Sequence, residues 1–424
     1  MSISCFIPAK LGPFHDSPLT IHHSRMKSST RSAITGAAFL MATSAIGPGF
    51  ITQTTVFTQQ LLTSFGFVIL VSIVLDIAAQ LNVWRIIAVT EKRAQDLANN
   101  LLPGMGYLLA ILIVGGGLVF NIGNVAGAGL GMNVVYPFDD DIKHPVLGAA
   151  ISAGIALLIF WIKEAGVAMD WFARILGFVM IGLTLYVAIS SHPPVAEAIY
   201  RSFVPVKIDT IAIVTLVGGT VGGYISFAGA HRLLDAGIKG QQQLPQVMRS
   251  SISAILLASV MRILLFMAAL GVVMGGGLLH KDNPAASVFQ IAAGDLGYKL
   301  FGIVLWSAAI TSVVGSAYTS VSFLRTLHPV FEKYQRLVTT MFILISMGIF
   351  AFLQQGAVQL LVVAGAINGL ILPVSLALLL TAVLKKRLIG NYKHPVWLSV
   401  AGWIVVVIMG IMGANAIVTL LSKV

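Results

Sequence analysis

Eleven apolar blocks of about 19 to 32 residues decide what this chain can fold into. They cover 33–63, 66–89, 105–136, 145–163, 167–190, 210–235, 250–276, 298–324, 336–354, 357–384 and 395–420. At about 1.5 Å per helical residue, such blocks cross a hydrocarbon layer of about 30 Å. Barrel strands would be near ten residues and alternating, which these are not. Hydrophobic residues make up 57% of the 424 positions and charged residues 10%. An ordinary soluble domain is about a quarter charged, so this composition cannot cover a water-facing surface. The expectation is an all-α, multi-pass protein of the cell membrane with about eleven spans.

The net charge of +11 sits in alternate loops. Arg85, near the end of block 2, is followed by Lys92 and Arg93. Arg232, at the end of block 6, is followed by Lys239 and Arg249; Arg325, Lys333 and Arg336 come after block 8, and Lys385, Lys386, Arg387 and Lys393 after block 10. The positive-inside rule makes those loops cytoplasmic, and no nucleic-acid partner is called for. Asp139, Asp140 and Asp141 and the uncharged Gln354-Gln355-Gly356 fall on the other side. The N-terminus is then cytoplasmic and the C-terminus external. Residues 1–32 read as a disordered tail without a signal-peptide core, and Met26 is an alternative start. The single Cys5 excludes an internal disulfide or a thiolate cluster.

Blocks 1 and 6 are each interrupted near the middle, by Gly47-Pro48-Gly49 and by Gly218-Gly219 with Gly222-Gly223. Proline removes a backbone donor and each glycine costs about 1 kcal/mol against alanine, so both segments should unwind. Matching breaks five blocks apart point to a five-plus-five inverted repeat with a site at mid-membrane. The division expected is a first repeat at 33–190, an external loop at 191–209, a second repeat at 210–384, and a further loop and helix at 385–424.

Several stretches are similar to one family. They are Gly36-Ala37-Ala38-Phe39-Leu40 through Ile46-Gly47-Pro48-Gly49-Phe50, Phe67 to Thr90 with Gln80 and Arg85, Asn121-Ile122-Gly123-Asn124 with Gly127 and Asn133, Gly219-Thr220-Val221, and Leu372-Pro373. Together they resemble the natural resistance-associated macrophage protein (NRAMP) divalent-metal transporters, which implies the fold of the leucine transporter (LeuT). The departures fall on the chemistry. Where the family's first helix gives an Asp and an Asn to the metal, this chain has Gly47 and Phe50. Its Met-Pro-His becomes Gly222, Gly223 and Tyr224, its Gln on helix 10 becomes Gly365, and its acidic pair on helix 3, part of a proton route, becomes Asn121 and Asn124. A dehydrated divalent ion needs hard oxygen or imidazole ligands with compensating charge. The glycines also suggest an enlarged cavity, partly refilled by Phe50 and Tyr224.

Candidate substrate-binding residues are therefore Gly47, Gly49, Phe50, Gln53, Thr54, Thr55, Asn121, Asn124, Gly222, Gly223, Tyr224 and Asn368. Gln53, Thr54 and Thr55 open the second half of block 1, where free amides favour negative groups; equally, their hydroxyls could bond their own helix. Asn121 and Asn124 share a face and serve either substrate or helix packing. Candidates for ion coupling or gating are Asp76, Arg262, His231, Asp235, Thr311 and Ser312. Asp76 and Arg262 lie deep in blocks 2 and 7, either as a structural ion pair or in contact with substrate or coupling ion. His231 and Asp235, one turn apart, form a gate or relay or simply a solvated helix end. With neither nucleotide-binding loop nor metal-hydrolase motif, no enzyme and no cofactor is expected. The sequence reads as a secondary transporter of a small organic anion or zwitterion with a coupling proton or sodium ion, and alternatively as a carrier of manganese, iron or hydrated magnesium.

Overall fold

The computed structural model describes residues 46–137, 145–325, 327–353 and 355–421, and every regular element among them is helical. In chain order these are α1 (Pro48–Leu61), α2 (Phe65–Thr90), α3 (Ala94–Leu101), α4 (Met105–Val135), α5 (Val146–Trp161), α6 (Lys163–Ser190), α7 (Val195–Phe203), α8 (Thr210–Thr220) and α9 (Ile225–Asp235). They continue with α10 (Leu244–Met274), α11 (Pro284–Leu324), α12 (Val330–Lys333), α13 (Gln335–Leu353), α14 (Ala357–Val383), α15 (Lys386–Ile389) and α16 (Val396–Leu421).

Each apolar block meets a helix, yet the count of eleven spans is not established. Among the described residues eight stretches are long and apolar enough to cross a membrane, or nine if the bent pair Ile175–Ser190 and Val195–Phe203 is one span. Pro48–Thr90 counts as one stretch of 43 residues, about 65 Å of helix and enough for two crossings. Block 5 ends in a bend of 103° into α7, so the segment expected to be a plain external loop is partly helical. Block 8 begins earlier than the hydropathy indicates, at Pro284, with Asn283 capping the Ala286 amide and a non-helical Gly294 inside. The first half of block 1 and Asp139, Asp140 and Asp141 lie outside the described residues, as does Gln354.

Both interruptions have a local cause. Gly47 is the extended N-cap of α1 and Pro48 its first residue, where a missing N–H costs nothing. Between α8 and α9 the chain unwinds over Val221–Tyr224, and Gly223 takes a left-handed φ of 53° that disfavours any side chain. The Ser226 hydroxyl caps the Val221 carbonyl at 2.5 Å, and the Trp84 indole N–H reaches the Ser226 carbonyl at 2.9 Å. Protein groups thus brace the unwound stretch where hydrocarbon could not.

Around these breaks pack the long helices. α4 lies against α11, α14 against α8 and α4, and α2 against α10. α16 closes on α2 and α14. Its anchor is a polar knot in which Asn82 donates to the Leu398 carbonyl at 2.9 Å and meets His394 Nε2 at 2.9 Å, while Arg85 donates to the Tyr392 hydroxyl. Burial and then the Arg85 charge push His394 down to about 4. The folded state therefore holds fewer protons than the unfolded chain between that value and about 6.5. The stability contributed by the knot is complete above about pH 6.5 and is lost as pH falls toward 4. Protection against hydrogen exchange along α16, corrected for the intrinsic rate at each pH, should fall as pH drops across that window in the native protein and show no such step in His394→Gln.

Candidate functional site

The start of α1, the end of α8 and the start of α9 converge with α4, α10, α11 and α14 on a buried polar core. Phe50, Gln53, Thr54, Thr55, Asn121, Asn124, Tyr224 and Asn368 are all buried in it, and Gly47, Gly49, Gly222 and Gly223 form its backbone walls. Three groupings share the space.

The first joins α4, α11 and α13. Ser316 donates to Asn121 Oδ1 at 2.7 Å, the Asn124 amide donates to Ser316 at 3.4 Å, and the Asn121 amide donates to Ser346 at 3.1 Å. Asn124 Oδ1 and Ser312 Oγ remain without a hydrogen-bond partner, and the Tyr224 hydroxyl lies beside Ser316 and Asn124. A Cβ placed on Gly47 would lie 3.0 Å from Ser312 Oγ and 3.7 Å from Asn124 Oδ1, so these two oxygens face the α1 break. Thr311, expected beside Ser312, instead bonds the Ser307 and Ala308 carbonyls of its own helix.

In the second grouping, α1 is tied to α14. The Gln53 amide donates to the Leu361 carbonyl at 2.8 Å, and the Asn368 amide donates to the Gly116 and Ala364 carbonyls. Thr54 and Thr55 give their hydroxyls to the Phe50 and Ile51 carbonyls, so the reading in which they bond their own helix holds in this conformation. At three of these glycines the space expected from a missing side chain is already taken up. A Cβ on Gly223 would fall 1.7 Å from Asn368 Oδ1, on Gly222 2.6 Å from the Asn368 carbonyl, and on Gly365 2.4 Å from Gln53 Nε2. The volume given up by the glycines is occupied by Gln53, Asn368 and close backbone approach.

The third grouping is charged. Arg262 on α10 stacks on Phe50 with its guanidinium carbon 4.1 Å from the ring centroid, and donates through Nη1 to Thr220 Oγ1 at 3.0 Å. It therefore sits between the first turn of α1 and the last residue of α8. Asp76 lies near the same Thr220 hydroxyl, whose own hydrogen goes to the Leu216 carbonyl at 2.9 Å. The ion pairs within 4.0 Å among the described residues do not include Asp76 with Arg262, so the direct structural pair is corrected to two charges with Thr220 between them. Asp76 Oδ1 and Arg262 Nε and Nη2 have no hydrogen-bond partner.

A separate cavity of about 320 Å³ lies at the end of α9, where Arg93, Arg232 and Arg325 gather, with Ala228 and Gly315 also in its wall. His231 and Asp235 line it but do not pair. His231 Nε2 accepts the Ala94 N–H at 3.3 Å, and Asp235 forms a rim ion pair with Arg93 at 2.5 Å. Such an exposed pair stabilises by at most about 1 kcal/mol, weak enough to open. Thr220 and Ser346 are the members that sequence reasoning did not select as site residues, whereas Ser316 stood with Ser307, Thr311 and Ser312 as a candidate cation-site hydroxyl. The available signals were Thr220 at the end of the glycine break and Ser346 as an isolated polar residue in an apolar block.

A bundle of membrane-crossing helices, with an unwound helix and a helix start meeting at a buried polar core, defines a transporter of the LeuT type. Consistent with that, the structure resembles the manganese transporter of Eremococcus coleocola solved with an aromatic bis-isothiourea compound, at a TM-score of 0.73 and 16% identity, covering 93% of this chain and 87% of that one. It also resembles MhsT in complex with L-phenylalanine, at a TM-score of 0.60 and 13% identity over 90% and 97% of the two chains. The family model described as natural resistance-associated macrophage protein-like matches residues 38–419, and the chain belongs to that family. The uncharacterized membrane protein YcsG of Bacillus subtilis is 58% identical over 397 residues, 94% of this chain and 97% of its own length. Members of the family are transporters and not enzymes, so this chain is a multi-pass membrane transporter.

The packing of the break is testable by volume. Gly223→Ala adds left-handed strain and a clash with Asn368, together about 2 to 4 kcal/mol, whereas Gly348→Ala meets nothing within 4 Å. The melting temperature of the purified protein should fall clearly in the first variant and stay level or rise slightly in the second.

Proposed function

We propose that this family member moves a small organic anion or zwitterion by alternating access, and that Arg262 is the group that meets its carboxylate. The observation that carries this reading is the position of Arg262 between Phe50 and Thr220, buried, with two N–H groups unpaired. An arginine fork matches a carboxylate in two parallel hydrogen bonds. Around it no group of three or more His, Cys, Asp or Glu able to hold a metal occurs among the described residues. Asn121 and Asn124 bring neutral amides to the core. The expected docking of a carboxylate by Thr54 and Gln53 gives way to Arg262 here, because Thr54, Thr55 and Gln53 already spend their donors on backbone carbonyls. The amides heading α1 at Gly49 and Phe50 remain as a second attraction for negative charge.

The topology belongs to the same proposal: repeats at 33–190 and 210–384, with the arginine-lined end and its cavity in the cytoplasm, the N-terminus on that side and the C-terminus outside. Basic residues at the rim support that sidedness.

A second reading, transport of manganese, iron or hydrated magnesium, is favoured by the unpaired oxygens of Asn124, Ser312, Gln53 and Asn368 and by the likeness to a manganese transporter. Thermal unfolding of the purified protein separates the two, since a ligand at about 100 times its Kd stabilises by about 2.7 kcal/mol. Across a panel of organic acids and amino acids, at least one carboxylate should raise the melting temperature of the native protein and leave Arg262→Gln unchanged, while manganese shifts neither. Saturable manganese uptake into proteoliposomes with no response to any carboxylate would establish the second reading instead.

A further inference from the structure

We propose that Asp76 is the carrier of a coupling proton, taken up in exchange for the negative charge that a substrate brings to Arg262. The proposal rests on the anion reading above and narrows it, because the substrate is then a net anion carried with one proton.

Charge balance gives the argument its force. Asp76 and Arg262 are the carboxylate and the guanidinium buried among the described residues, and neither has an ion-pair partner within 4.0 Å. The group between them is Thr220, the last residue of α8 before the unwound segment. Its hydroxyl accepts from Arg262 and has one hydrogen to give, for which the Leu216 carbonyl at 2.9 Å competes with Asp76. Along α2, the neighbours one turn away are already committed. Ser72 donates to the Ile69 carbonyl, and the Gln80 amide donates to the Ser251 carbonyl on α10. Arg262 is the charged group that α10 turns toward Asp76, and α8 contributes only the neutral Thr220. Asp76 Oδ1 is thus an open acceptor whose counter-charge lies on the far side of a single hydroxyl.

With the site empty, the two charges sum to zero. An anion on Arg262 leaves the trio with one negative charge deep in the bundle, a state that burial strongly penalises. One proton from the water on the entry side, forming an O–H bond at Asp76, restores neutrality. When the anion leaves Arg262 on the other side, Asp76 gives the proton back to water and the original pair re-forms. Because Thr220 ends α8, the exchange takes place next to the unwound segment. Asn121 and Asn124 hold no ionisable proton, so they do not duplicate this role.

The test needs no identified substrate. Infrared spectra of the purified full-length protein at neutral pH should show no protonated-carboxyl C=O band from Asp76 in the native form. In Arg262→Gln, where the counter-charge is removed as an anion would cancel it, that band should appear, and it should vanish in Asp76→Asn/Arg262→Gln. Arg262→Met, whose apolar side chain suits the same surroundings, gives the same reading if the glutamine variant does not fold. Absence of an Asp76-dependent band in the folded arginine variants overturns the proposal. A failure of the anion reading shows up separately, as silence across the carboxylate panel, and does not alter what the band reports.

Discussion

Hydrocarbon returns nothing for an exposed N–H, C=O or charge, and this molecule places all three at its centre. The unwound segment between Thr220 and Ile225, the helix start at Pro48 and the buried Arg262 and Asp76 survive because protein groups stand in for water. Ser226 and Trp84 stitch the break, Gln53 and Asn368 reach across to α14 and α4 carbonyls, and Phe50 and Thr220 flank the guanidinium. The helices around them follow from this need, since α4, α10, α11 and α14 each deliver at least one polar side chain or carbonyl to the core. Their glycines matter for the same reason. A Cβ on Gly218 would fall 2.0 Å from the Gly365 carbonyl, so only bare backbone lets α8 and α14 approach as they do.

Within its family the chain keeps the architecture and changes the charges. Acidic and sulfur positions implied by the resemblance are here glycine, phenylalanine, tyrosine and asparagine, and the ionisable groups that remain at depth stand on α2 and α10 instead. Such a redistribution alters what the site can hold, while the helix start at Pro48 and the unwound stretch after Thr220 are present here. The rim pair of Arg93 with Asp235 is exposed and weak, as expected for a contact that forms and parts during transport.

Much of this was legible in the sequence. Length and apolarity gave the helices, and Gly47-Pro48-Gly49 and Gly222-Gly223 marked where they stop, because proline and left-handed glycine act locally. What stayed hidden depends on partners distant in sequence. A glycine in place of a ligand reads equally as added space or as closer backbone, and only the positions of Gln53 and Asn368 show that the space is filled. Thr54 and Thr55 could face solute or their own helix with identical composition. Asp76 and Arg262 were recognised as a pair by depth, yet the hydroxyl between them comes from a third helix. The bend after Ser190 and the early start at Pro284 escaped notice because neither changes hydropathy sharply.

The central claim is that the middle of this bundle holds a carboxylate at Arg262 and not a divalent ion at the α1 break. Anomalous scattering from crystals grown separately with a brominated carboxylate and with manganese locates each directly. The account predicts bromine density beside Phe50, with the carboxylate on the Arg262 guanidinium near Thr220, and no manganese density in the core. A manganese peak among Gly47, Asn124 and Ser312, with no bromine near Arg262, would contradict it.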